Sequence, residues 1–153
     1  MTAREPIRIR GAEIRDLDLL LQLEEDAFPG DRLGLRDMRH AIRSPTILTL
    51  VAERKGTLAG YVFVQVRRGS TLGRLTSVAV TRDAAGQGVG RALVAAAEGA
   101  AVAAGCDRMR LEVRADNDRA ARLYEAGGYR MIGEVPDYYE DCEAARHYEK
   151  RLG

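Results

Sequence analysis

Apolar and polar residues alternate over residues 7–14 closely enough for a first β-strand. Asp16 follows in a position suited to a helix N-cap, and Leu17, Leu20, Leu21, Ala27 and Phe28 recur behind it on one helical face, with Glu24 on the same stripe. Phe28-Pro29-Gly30-Asp31 breaks this helix. A second short helix over 35–43 stops before Ser44-Pro45, because a residue preceding proline is pushed out of the helical region. Residues 46–53 and 58–67 are rich in Val, Leu, Tyr and Phe and read as two strands, joined by the turn Arg54-Lys55-Gly56-Thr57. Residues 73–81 form another strand, and a glycine-rich turn comes next. Leu93, Ala97, Ala100, Ala101 and Ala104 then fall on one helical face that ends at Gly105, and their small side chains permit close packing on a sheet. A strand over 108–114, a helix over 118–126 closed by Gly127-Gly128, and strands over 129–135 and 144–152 complete the chain. The predicted order is β α α β β β α β α β β, an α/β fold without internal repeat or linker.

The 153 residues, 46% hydrophobic and 31% charged, describe one globular domain. A chain of this length buries roughly 70% of the surface its unfolded form exposes, so its core needs neither a disulfide nor a structural metal. Cys106 and Cys142 lie in no CxxC or nearby-histidine pattern, and both are expected to be structural thiols rather than metal ligands. The longest uncharged stretch, Gly56 to Val66, is 11 residues; a membrane span needs about 20. Arg4, Glu5, Arg8, Arg10, Glu13 and Arg15 leave no apolar signal-peptide core at the start, so a cytoplasmic location is expected. A net charge of +1 gives no basic face for nucleic acid, although all but Lys55 and Lys150 of the 24 basic residues are Arg, the side chain suited to phosphate and carboxylate.

The densest chemistry lies in Leu75-Thr76-Ser77-Val78-Ala79-Val80 followed by Ala85-Gly86-Gln87-Gly88-Val89-Gly90-Arg91. A strand running through glycines into a helix start aims several free backbone N–H groups at one point, which suits a pyrophosphate. Arg82 and Arg91 are placed to add charge. The same pattern also describes an ordinary tight connection. A dinucleotide fingerprint starting at Gly86 needs glycine where Arg91 stands, and a P-loop needs a lysine that the segment lacks.

Taken with Leu111-Glu112-Val113-Arg114, Asn117, Ala120, Leu123-Tyr124-Glu125 and Gly128-Tyr129, these segments resemble the GNAT superfamily of N-acetyltransferases, and within it the ribosomal-protein-alanine N-acetyltransferases. The resemblance covers residues 58–152; before them only the β α α order and Ala27-Phe28-Pro29 match. It implies a single GNAT-like domain with a mixed, mostly antiparallel sheet of about seven strands flanked by about four helices. It also implies acetyl-CoA as co-substrate and no metal. The backbone of Val78, Ala79 and Val80 would pair with the pantetheine arm. Gly86, Gln87, Gly88, Val89, Gly90 and Arg91 would hold the pyrophosphate. Asn117 would contact the cofactor arm, a role compatible with capping the helix over 118–126. One departure is Ala85, where the family pattern has Gln or Arg.

Acetyl transfer from a thioester to an amine needs a neutral amine, a polarised carbonyl and a proton for the departing thiolate. Tyr124 occupies the family's general-acid position; by periodicity alone, Ala120, Leu123, Tyr124 and Gly127 make it a core aromatic. Glu112 shares an alternation face with Arg110 and Arg114, which by pattern alone suggests an ion pair. In the resembled subgroup the matching glutamate is the general base, acting through water. Glu24 and Glu25 are weaker base candidates. His40 and His147 lie apart from these motifs in sequence and are expected to be structural. No Ser-His-Asp or Cys-His arrangement is evident, so direct transfer is expected. Asp137, Glu140 and Asp141 around Tyr138-Tyr139, together with Asp31, border the acceptor cleft in the resembled fold, where they would attract a cation or simply be solvated. The expected function is an acetyl-CoA-dependent N-acetyltransferase acting on an amine, in particular a protein or peptide N-terminus. The alternatives are a catalytically silent acyl-CoA-binding regulatory module and a small-molecule amine acetyltransferase. The presence of both Glu112 and Tyr124 favours an enzyme. Neither nucleic acid nor membrane is an expected partner, and nothing in the pattern specifies an oligomeric state.

Overall fold

The computed structural model describes residues 6–27 and 34–153. It contains strands β1 (Arg8–Gly11), β2 (Ile47–Arg54), β3 (Thr57–Gln65), β4 (Leu72–Val80), β5 (Arg108–Arg114), β6 (Arg130–Val135) and β7 (Ala145–Arg151). The helices are α1 (Leu17–Ala27), α2 (Leu35–Arg43), α3 (Val89–Ala103) and α4 (Asp118–Ala126). The strands form one sheet in the order β1-β2-β3-β4-β5-β7-β6, antiparallel throughout except between β4 and β5. Element order and fold class match the expectation. The Phe28-Pro29-Gly30-Asp31 break and the Phe28 position of the first apolar stripe lie outside the described residues. No helix among the described residues is long and apolar enough to cross a membrane.

The first strand is shorter than its alternation predicts, and a charge cluster explains why. Only Arg8 to Gly11 pair with β2, after which Ile14–Asp16 wind into a 3₁₀ turn. The buried Asp16 carboxylate accepts two hydrogen bonds from the Arg10 guanidinium, each 2.8 Å, and one of 2.8 Å from the Glu13 N–H. It therefore closes the chain back on β1 instead of capping α1. Hydrogen bonding from Arg10 holds this carboxyl below the usual aspartate range. Arg10 also reaches Glu53 on β2 at 3.0 Å.

Two cores lie on opposite faces of the sheet. On one, Leu17, Leu20 and Leu23 of α1 and Met38 and Ala41 of α2 pack on Val51, Tyr61 and Phe63. On the other, Val89, Leu93, Ala97 and Ala101 of α3 and Tyr124 of α4 pack on Val62, Val64, Leu111, Val113 and Tyr148. Ala97 and Ala101 of the expected face let α3 lie close to the sheet, whereas Ala104 is exposed beyond its last turn, and Gly60 on β3 takes the approach to its limit. A Cβ built there would stand 2.6 Å from the Ala79 carbonyl oxygen and 3.0 Å from Leu93 Cδ1. Because the nearest atom is backbone, Gly60→Ala is expected to destabilise the fold by about 1–3 kcal/mol, the usual range for overpacking. Thermal melts should show a fall of several degrees; a melting temperature within about 1 °C of the parent would mean that the sheet yields there without cost.

The feature that positions the site is the way β4 leaves β5. The two strands pair only at Leu72/Arg108, Gly73/Met109 and Arg74/Arg110. Just beyond, Val64 of β3 faces Leu75 and Phe63 faces Ser77, so Thr76 bulges out of the ladder. A bulge bends its strand and increases its twist. β5 is meanwhile held along its whole length by β7. The sheet consequently opens between the second half of β4 and the end of β5.

Candidate active site

After β4 the chain passes through a 3₁₀ turn at Arg82–Ala84, anchored by buried Ala84, and reaches the glycine loop. Gly86 has φ 76° and Gly88 φ 84°, left-handed values that a Cβ would make unfavourable by about 1–2 kcal/mol. Gly88 is the N-cap of α3. A Cβ on either glycine would meet nothing within 4 Å, so the backbone there faces open space. The first N–H groups of α3 have no acceptor within the helix and share that end of it. Gly90 packs at the back of the loop, where its Cβ would meet Leu123 and Val80 at 3.6 and 3.7 Å. Val89 is buried and Arg82 and Arg91 are exposed. The Gln87 side chain turns aside: its Nε2 donates to the Asp83 carbonyl at 3.0 Å and its Oε1 accepts from Arg54. Arg54 on β2 thus braces the loop, a contact across the sheet that the sequence pattern does not carry. A concave backbone free of side chains at a helix N-terminus fits a pyrophosphate. Val78, Ala79 and Val80 pair with β3 through Val62, Tyr61 and Gly60, and they lie beyond the last β5 partner. That leaves one edge of β4 free for an extended, amide-bearing arm.

Helix α4 starts at Asn117, whose Oδ1 accepts the Ala120 N–H at 3.1 Å. This cap fixes the helix that carries Tyr124. The Tyr124 ring is 7% exposed and meets Tyr129 edge-on, with centroids 5.8 Å apart. Burial pushes its phenol up to about 12, so the hydroxyl stays protonated at neutral pH. The two readings of Tyr124 are therefore compatible: the ring is a core aromatic, and its hydroxyl keeps the proton that a general acid needs.

Glu112 projects from β5 on the face opposite Leu111 and Val113. Its flanking arginines are engaged elsewhere, Arg110 with Glu149 at 2.6 Å and Arg114 with Asp116 at 3.1 Å and Asp141 at 2.5 Å. The ion pair that the sequence suggested for Glu112 is thereby corrected. Its cross-strand partner is His147, with Nδ1 3.8 Å from Oε1. His147 was expected to be remote and structural, and the sheet brings it beside the candidate base. The Tyr138 hydroxyl also reaches Glu112, and hydrogen bonding to that carboxylate pushes its phenol up.

The acidic turn divides into two parts. Asp141 is neutralised by Arg114, which holds its carboxyl below the usual range and also covers the Tyr139 ring at 4.8 Å. Asp137 and Glu140 are exposed. Asp31 lies outside the described residues. Glu24 is buried on α1, at 3% exposure, whereas Glu25 and His40 are exposed. Cys106 is buried, which pushes its thiol up, and Cys142 is exposed; both are free.

Tyr124 and Glu112 occupy opposite faces of the sheet. Glu112 lies two positions past Arg110, the last β5 residue paired with β4, so it borders the opening. Leu123, next to Tyr124, lies against Gly90 of the glycine loop. A ligand extended from that loop along β4 would run between Tyr124 on one face and Glu112 on the other.

Residues 16–129 match the family model described as the acetyltransferase (GNAT) family. An uncharacterized N-acetyltransferase of Methanocaldococcus jannaschii is 33% identical over 138 residues, covering 90% of this chain and 86% of the relative. An N-alpha-acetyltransferase of Sulfurisphaera tokodaii is 28% identical over 149 residues, covering 90% and 89%. Among solved structures, the ribosomal-protein-S18-alanine N-acetyltransferase of Escherichia coli superposes with a TM-score of 0.85 at 25% identity, over 97% of this chain and 95% of that one. The seven-stranded opened sheet, the glycine loop and these matches agree: the chain belongs to the GNAT family of acetyltransferases and is an acyltransferase.

Proposed function

We propose that the protein is a cytoplasmic, acetyl-CoA-dependent N-acetyltransferase whose acceptors are the N-terminal α-amines of proteins or peptides. The observation that carries this reading is the opening between β4 and β5, with the glycine loop at one end, Tyr124 on one face and Glu112 beside the gap on the other. When bound, acetyl-CoA would supply an acetyl group activated as a thioester. Gly86, Gly88 and the first turn of α3 would hold its pyrophosphate through backbone N–H groups. Val78, Ala79 and Val80 would align the arm along the free edge of β4. Glu112 would take a proton from the acceptor nitrogen, directly or through a water. Tyr124 would donate its hydroxyl proton at sulfur, and burial keeps that proton in place until it is needed.

A peptide α-amine has a reference pKa near 8 and lysine one near 10.4, so at neutral pH about a tenth of α-amines are already neutral, against well under a thousandth of lysines. A carboxylate is a modest base, and it suffices for the easier amine. The names of the Sulfurisphaera relative and of the E. coli structure point to the same acceptor. Incubation with a peptide library and acetyl-CoA, read by mass spectrometry, is expected to show N-terminal acetylation at least tenfold above lysine acetylation, within the margin the amine equilibria allow. Lysine or a polyamine as the preferred acceptor would overturn the selectivity.

A further inference from the structure

Glu112 is surrounded in a way that its role as a base alone does not require. On its face of the sheet, β5 and β7 form a ladder in which Arg110 stands opposite Glu149, Glu112 opposite His147 and Arg114 opposite Ala145. Both arginines are bound to other carboxylates. β6 contributes only Gly133 opposite His147. The turn between β6 and β7 contributes Tyr138, whose hydroxyl reaches Glu112 and whose ring meets the His147 ring edge-on, with centroids 6.2 Å apart and planes at 89°. Arg74 of β4 is the cation near that hydroxyl. Glu112, His147 and Tyr138 therefore form a three-sided cluster beside the opening.

The imidazole nitrogens have unequal surroundings. Nε2 is buried and has no hydrogen-bond partner, whereas Nδ1 faces Glu112 Oε1 at 3.8 Å. A buried N–H without an acceptor is rarer in folded proteins than a buried acceptor without a donor. Of the two neutral tautomers, the one protonated at Nε2 would bury an orphan N–H and also turn a lone pair toward the carboxylate. The one protonated at Nδ1 avoids both penalties and becomes a donor to Glu112 once the gap closes to about 3 Å. We infer that His147, as its Nδ1–H tautomer, is a positioning residue that holds the Glu112 carboxylate toward the acceptor amine. The inference rests on Glu112 being the base proposed above. It gives a function to a histidine that the sequence pattern leaves aside.

The chain has two histidines, so the test is direct. Two-bond ¹H–¹⁵N spectra of the parent protein at pH 8 should show one imidazole as the Nδ1–H tautomer, assigned to His147 by its disappearance in His147→Asn. In steady-state assays with a peptide acceptor, His147→Leu should lower kcat on the order of tenfold while the KM for acetyl-CoA is kept, since a displaced base slows the chemical step without touching the cofactor site. His147→Asn, which keeps an N–H donor near the position of Nδ1, should recover kcat to within about threefold of the parent. An Nε2–H tautomer, a parental kcat in His147→Leu, or an asparagine variant no better than leucine would each overturn the inference. Glu112→Gln separates it from its premise. Parental turnover in that variant would refute Glu112 as the base, whereas its inactivity beside a fully active His147→Leu would refute only the role of His147.

Discussion

Gly88→Val is expected to reduce acetyl-CoA affinity on the order of 100-fold or more. Gly88 has φ 84° at the N-cap of α3, and a β-branched residue forced into that conformation would lose at least 1–2 kcal/mol or drag the loop with it. The new side chain would also stand in the open space above Gly88, between the backbone N–H groups and any phosphate they could bind. Hydrogen bonds to charged groups contribute about 1.5–3 kcal/mol each, and every 1.4 kcal/mol is tenfold in affinity, so the loss of even one such contact on top of the strain gives the stated effect. Titration calorimetry with acetyl-CoA, run beside a circular-dichroism check of folding, measures it. Parental affinity in a folded variant would remove the pyrophosphate from this loop.

Tyr124→Phe is expected to lower kcat about 100-fold while leaving the fold and acetyl-CoA affinity unchanged, because a single proton-transfer group contributes roughly 10²–10⁴-fold. Phenylalanine preserves the edge-on contact with Tyr129 and the packing of the ring in its core, so the variant isolates the hydroxyl. Since burial places the phenol at about 12, deprotonation of Tyr124 should produce no loss of turnover between pH 7 and about pH 10 in the parent. Turnover of the variant within about twofold of the parent on a verified acceptor would reduce Tyr124 to a packing residue.

Features governed by local chemistry were legible before the structure. α2 stops at Arg43, ahead of Ser44-Pro45, and α4 runs from the Asn117 cap to Ala126 before Gly127-Gly128, where both helices were expected to end. What could not be read depends on partners distant in the chain. β1 ends early because Arg10 and Asp16 close a turn that alternation does not encode. The Thr76 bulge appears only once β3 and β4 are in register. Glu112 and His147 meet because β7 lies next to β5 and sends β6 to the edge, an order that sequence adjacency would reverse. Asp141 is paired with Arg114 of β5 for the same reason.

The three-residue seam between β4 and β5 also divides the sheet into two parts. On one side, β1 to β4 form an antiparallel block covered by α1 and α2; on the other, β5, β7 and β6 form a second block, and both blocks are stitched along nearly their full lengths. Within the sheet, only Leu72 to Arg74 and Arg108 to Arg110 join them. The core under α3 spans both blocks, so the short seam is the weakest line of the sheet and not a boundary between independent units. A ligand lying along β4 and touching both blocks would act as a splint, bracing the β5 side of the opening against the β4 side.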